Sequence, residues 1–138
     1  MLPQIETITQ SLQKMDLIKN PEDAAFHPLS GGVSSDIWRV DTPSGAICVK
    51  QARRQLRVDA KWLAPVERNS IEATWMRTTG ALMPGTVPRV ISEDRAASLF
   101  AMTYFDPGTY PTWISRLMSG AVDIDFAAEI GTQLARMH

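Results

Sequence analysis

Apolar residues recur along this chain with two different periods. Ile5, Ile8, Leu12 and Met15 follow one another at spacings of three and four, which predicts a helix over residues 3–19, closed by Asn20-Pro21. Residues 25–30 predict a short strand leading into Gly31-Gly32. Residues 36–41 predict a second strand, with Ile37 and Val40 apolar and Trp38 on the other face. Thr42-Pro43-Ser44-Gly45 is a turn, since proline suits its second position and glycine its fourth, so residues 46–50 form the return strand of a hairpin. Residues 51–65 are irregular and basic. A helix fits residues 66–79, with Ile71 and Trp75 marking its apolar stripe and Gly80 its stop. Pro84-Gly85 and Pro88 mark a loop. Residues 89–92 and 98–104 predict two more strands about the polar turn Glu93-Asp94-Arg95, and Asp106-Pro107-Gly108 ends the second. A short helix over 111–118 follows. A longer one runs from Asp123 or Asp125 to His138, with Ala127, Ile130, Leu134 and Met137 on one side.

This order predicts an α+β fold: a sheet of about five antiparallel strands with a helix packed on it, flanked by N-terminal and C-terminal helices. The expected organisation is an N-terminal helix (1–24), a sheet domain (25–105) and a closing helical segment (106–138). There is no internal repeat and no low-complexity tract.

Composition narrows the class of function. The 138 residues are 44% hydrophobic and 21% charged, which suits a single folded domain. A net charge of −1 gives no electrostatic case for binding nucleic acid or an anionic membrane. The lone Cys48 excludes an intrachain disulfide framework and any multi-cysteine zinc site, and suits a reducing cytosol. Residues 1–10 do not read as a signal peptide, and no apolar run approaches the roughly 20 residues needed to cross a bilayer. The expected location is cytoplasmic.

Four features occur in a suggestive order. The first is the glycine- and serine-rich turn Leu29-Ser30-Gly31-Gly32-Val33-Ser34-Ser35-Asp36, whose backbone can approach a phosphate closely and whose amides can cradle an anion; a plain hairpin turn is the other reading. The second is Lys50, closing the apolar strand Ile47-Cys48-Val49. A lysine there either meets a partner or keeps a strand edge soluble. The third is Glu72, 22 positions later and mid-helix, placed either to reach a strand lysine or to sit in solvent. The fourth is the apolar strand Leu99-Phe100-Ala101-Met102-Thr103-Tyr104-Phe105, either a plain buried strand before a turn or, by resemblance to kinases, a hinge whose backbone groups bind adenine.

From about residue 25 onward the chain resembles the aminoglycoside phosphotransferase and choline kinase-like group, which has a protein-kinase-like fold, and within it looks most like methylthioribose kinases. The resemblance rests on Leu29 to Ser34, on Val49-Lys50-Gln51-Ala52 followed by Leu56-Arg57-Val58, on Trp62, Pro65, Glu67-Arg68 and Glu72-Ala73, on Pro84 to Val90, and on Ile130 to His138. It implies that Lys50 binds the ATP phosphates, that Glu72 pairs with it, and that Gly31, Gly32, Val33 and Ser34 cover the phosphates. Met102 would flank the adenine, with Thr103, Tyr104 and Phe105 as hinge backbone. Ser35-Asp36 departs from the asparagine that the group often has near there. The sheet domain would be the N-terminal lobe, and residues 106–138 the hinge and the start of the next lobe. The family's catalytic aspartate and its Mg²⁺-binding carboxylates belong to that next lobe and have no counterpart here.

The expected function is therefore an ATP-binding N-terminal lobe of a small-molecule O-phosphotransferase, truncated before its catalytic half. The parent enzyme would pass the γ-phosphoryl group to a sugar or amino-alcohol hydroxyl. The alternative is a non-catalytic kinase-like module that binds a protein partner, self-associating through the apolar side of residues 124–138. Asp123-Ile124-Asp125 looks like a two-aspartate metal motif but reads as a helix N-cap. Arg53, Arg54, Arg57 and Lys61 read as a solvated loop or as substrate contacts. Neither His27 nor His138 has a metal-ligand companion at useful spacing, and Cys48 reads as a small buried apolar residue.

Overall fold

A computed structural model describes residues 3–54, 59 and 63–138. Leu56, Arg57, Val58, Lys61 and Trp62, which carry part of the family resemblance and of the basic run, lie outside the described residues. The chain divides into two units, residues 1–104 and residues 105–138.

The first unit is built on a five-stranded antiparallel sheet in the order β1-β2-β3-β5-β4, with β1 Ala25–Leu29, β2 Ser35–Thr42, β3 Gly45–Ala52, β4 Val90–Asp94 and β5 Leu99–Thr103. Helix α1 (Pro3–Lys14) precedes the sheet, and helix α2 (Arg68–Leu82) connects β3 to β4. The β2–β3 hairpin turns where expected, and Gly45 holds the positive φ of 116° that makes glycine the natural choice there.

Strand alternation sorts the side chains onto two faces. On one face Val40, Val49, Leu99 and Ala101 form a core with Ile8 and Leu12 of α1 and with Ile18; Trp38, Ile47 and Ile91 pack at its margin. Trp38 is thus on the same face as Val40, with its ring edge-on to Phe26 at 6.3 Å, and Ile37 is the residue that points the other way. The sequence reading had these reversed, because strict alternation groups 38 with 40 rather than 37 with 40.

The opposite face carries Cys48, Lys50 and Phe100, and α2 packs over it. Here the expected apolar stripe is corrected. Ile71 and Trp75 are 69% and 49% exposed, and the buried residues of α2 are Asn69, Ala73 and Thr79. A helix lying close over a sheet needs small residues at the contact, and Ala73 provides one where Ile71 would not fit. Gly80 is not the stop either, since α2 runs through it to Leu82 with Met83 as its cap. A Cβ added at Gly80 would meet Val87 at 3.5 Å, an ordinary contact distance.

Strand β4 carries a bulge, pairing Val90 with Met102 and then Ser92 with Ala101. Beyond it, Asp94 accepts hydrogen bonds from the Ser11 hydroxyl (3.0 Å) and the Lys14 ammonium (2.8 Å) of α1. Its neighbour Glu93 pairs with Arg77 of α2 at 2.8 Å.

The second unit holds helices α3 (Trp113–Met118) and α4 (Ile124–Met137). Thr112 caps α3 by accepting from the Ser115 N–H, and Asp123 caps α4 by accepting from the Phe126 N–H at 2.9 Å. Asp123 is therefore a cap residue, in line with its position before an apolar periodic run. Among the described residues no helix is long and apolar enough to cross a membrane.

Candidate functional site

The glycine turn joins β1 to β2 at one end of the sheet. Gly31 has φ 100°, a conformation costly for any residue with a Cβ. Gly32 is constrained differently: a Cβ there would lie 2.2 Å from the Ser35 carbonyl oxygen. The two glycines thus let the turn fold tightly onto β2. Val33 is left 48% exposed at the tip. At the far side of the turn, the Ser34 carbonyl accepts from the Arg53 N–H at 3.0 Å and from the Arg68 guanidinium.

Lys50 lies on the adjacent strand. Ser35 pairs with Ala52 and Ile37 with Lys50, so the lysine is one pleat in from the glycine turn, on the face that α2 covers. Its ammonium donates to both carboxylate oxygens of Glu72, at 2.6 and 2.8 Å. The pair is partly sheltered, with side-chain exposures of 18% for Lys50 and 34% for Glu72. Such a bidentate, half-buried contact fixes the direction of a lysine that would otherwise sample many rotamers.

Cys48 and Met102 face each other across β3 and β5 on this same side. Cys48 is buried, and burial pushes its thiol up to about 11, opposed by the nearby Lys50 charge. It is a buried, inert thiol rather than a nucleophile. Arg39, opposite Cys48 on β2, pairs with Asp41 at 2.8 Å and stacks over the Tyr104 ring at 5.2 Å. The hydrogen bond to Asp41 holds the Arg39 guanidinium above its usual range, and the same bond holds the Asp41 carboxyl below its own.

Of the residues expected at the site, Gly31, Gly32, Val33, Ser34, Lys50, Glu72, Met102, Thr103 and Tyr104 all fall in the first unit, and Phe105 begins the second. The Thr103 N–H is committed to the Arg89 carbonyl at 3.0 Å, so that donor is not free for a ligand. Sequence reasoning missed Arg68 as a residue of the site. The available signal was its position four residues before Glu72, on the same side of α2.

No family model matches the chain. Methylthioribose kinase 2 of Oryza sativa subsp. japonica is 36% identical over 72 residues, which is 51% of this chain. Over this stretch the chain is similar to that kinase. It spans only 17% of that relative's length. A crystal structure described as a fructosamine-3-kinase from Thermobifida fusca superposes with a TM-score of 0.42 at 26% identity, covering 60% of this chain and 26% of its own.

Among the described residues no group of three or more His, Cys, Asp or Glu side chains is placed to hold a metal ion, and the Glu72 carboxylate is engaged by Lys50.

Proposed function

We propose that this chain supplies the ATP-binding lobe of a small-molecule O-phosphotransferase. The observation that carries the reading is the Lys50–Glu72 pair, held one pleat from the Gly31–Ser34 turn. Glu72 would hold the Lys50 ammonium toward the α- and β-phosphates, and the turn would cover them with backbone amides. Adenine would lie against Cys48 and Met102, near Tyr104. The parent enzyme would break the bond between the γ-phosphorus of ATP and its bridging oxygen. ADP would leave as the phosphorus bonds a sugar or amino-alcohol hydroxyl whose proton passes to a base. That base and the metal carboxylates would lie outside residues 1–138. These residues contribute positioning and positive charge, which in phosphoryl transfer is most of what a protein does.

The test is titration of the chain with ATP, followed by amide NMR. Binding near about 1 mM, worth about −4 kcal/mol, is expected, with the largest shifts at Gly31 to Ser34 and near Cys48. Loss of those shifts in Lys50→Met supports the reading. Identical titrations of wild type and Lys50→Met, or no shifts at all, would refute it.

A second reading is a non-catalytic module that binds a protein partner, favoured by the exposure of Ile124 (79%) and Leu134 (51%) on α4. A chain using that face should self-associate. Sedimentation showing a monomer at high concentration would count against an exposed apolar face.

A further inference from the structure

Arg68 opens α2, at the end of a helix where a positive charge is disfavoured by the aligned peptide dipoles. The first turn carries no acidic residue to compensate, and Glu67, at the N-cap, makes no side-chain cap bond. The guanidinium instead turns back and donates to four backbone carbonyls. Nη1 reaches Ala64 at 3.2 Å and also Pro65; Nη2 reaches Arg53 at 2.6 Å and also Ser34. These carbonyls belong to three separate segments: the end of the glycine turn, the exit from β3, and the approach to α2. The planar fork of arginine suits this task, and a lysine could not span it.

Two neighbours reinforce the junction. The Arg53 N–H donates to the same Ser34 carbonyl, so both lone pairs of that oxygen are engaged. The Arg53 side chain pairs with Asp36 on β2 at 2.7 Å. One turn along α2 from Arg68, Glu72 holds Lys50. The same helix face therefore grips the glycine turn at one point and the strand lysine at another.

We propose that Arg68 is a positioning residue that fixes the glycine turn in register with the Lys50–Glu72 pair, so that turn amides and lysine present one phosphate-binding surface. This rests on the nucleotide reading above for its purpose, but the mechanical linkage can be tested without nucleotide.

The experiment compares wild type, Arg68→Lys and Lys50→Met by amide hydrogen exchange, ATP titration and thermal unfolding. Arg68→Lys keeps the charge and loses the fork. It should speed exchange of the Arg53 amide, the bond that reports the Ser34 junction, by about tenfold, and weaken ATP binding several-fold, with a near-native unfolding midpoint. Lys50→Met should weaken ATP binding and leave Arg53 exchange unchanged. If wild type binds no ATP while Arg68→Lys still loosens the Arg53 amide, the linkage stands and the nucleotide reading falls. If Arg68→Lys folds and leaves Arg53 exchange as in wild type, or if Lys50→Met loosens it equally, the proposal is overturned. Should Arg68→Lys fail to fold, the wild-type guanidinium gives the answer: resolved Nη–H signals with slow rotation support the cage, and averaged signals overturn it.

Discussion

The unequal burial of Lys50 and Glu72 makes a quantitative prediction. Lys50 keeps 18% of its side-chain exposure and Glu72 keeps 34%, so the lysine depends more on its partner. Two unit charges at contact attract by about 4 kcal/mol at an effective dielectric of 20, and desolvation and ordering of two long side chains cancel most of it. A net coupling of about 1–2 kcal/mol remains for a half-buried bidentate pair, above the ~0–1 kcal/mol of a fully exposed one. Glu72→Gln preserves shape but strands an ammonium in a sheltered site, and should cost about 1–2 kcal/mol of stability. Lys50→Met removes the more buried charge and leaves a carboxylate that water can reach, so its cost should be smaller, about 0–1 kcal/mol. The assay is urea unfolding of wild type, both single variants and the double variant, followed by tryptophan fluorescence. The double variant should lie within about 0.5 kcal/mol of Lys50→Met alone. If Glu72→Gln proves no more costly than Lys50→Met, or if the coupling falls below about 0.3 kcal/mol, the burial argument is wrong and the pair is an ordinary surface contact.

Three further outcomes are expected. Gly32→Ala should cost about 1–3 kcal/mol because its Cβ has no room beside the Ser35 carbonyl; Gly45→Ala, whose burden is its positive φ, should lose stability with no change in an ATP titration, and equal effects of both on that titration would count against the site. The Asp94 carboxyl lies below its usual range, chiefly through the hydrogen bond from Lys14 and then that from Ser11, against the opposing effect of burial. Its contribution to stability is therefore complete above its unfolded value near about 4 and is lost as pH falls through the lower folded value, so Asp94→Asn should flatten the acid limb of a stability–pH curve; an unchanged limb would show the pairing to be idle. Cys48, with its thiol raised to about 11, should be labelled by a disulfide reagent at pH 8 only as fast as the chain opens, and labelling at the rate of a free thiol would show the face to be exposed.

The strands were largely legible because this sheet is built from alternation and punctuated by residues with few alternatives, such as Pro43-Ser44-Gly45. The fault lay in α2. Ile71 and Trp75 have the spacing of a buried stripe, yet the helix meets the sheet through Ala73 and the polar residues Asn69 and Thr79. Hydrophobic spacing signals a buried face only when bulk is what the contact needs, and a helix held close over a sheet selects smallness instead. Lys50 and Glu72 were found through their order along the chain and are paired in space. Arg68 entered only as part of the family resemblance and not as a residue of the site, because its partners are main-chain carbonyls and these leave no complementary residue type in the sequence.

Glu93 and Asp94 stand side by side on β4 and serve opposite sides of the sheet: Asp94 receives Ser11 and Lys14 of α1, Glu93 receives Arg77 of α2. What decides which acid goes where is the bulge just before them. Ile91 takes no place of its own in the ladder, so Glu93 comes to lie opposite Phe100 and Asp94 opposite Leu99. Were Ile91 to pair with Ala101 instead, every later residue would slip one place along β5, and the longer acid would turn to α1 and the shorter one to α2, each at the wrong reach for the base that awaits it. Straightening the bulge would thus transpose two carboxylates without altering either of them.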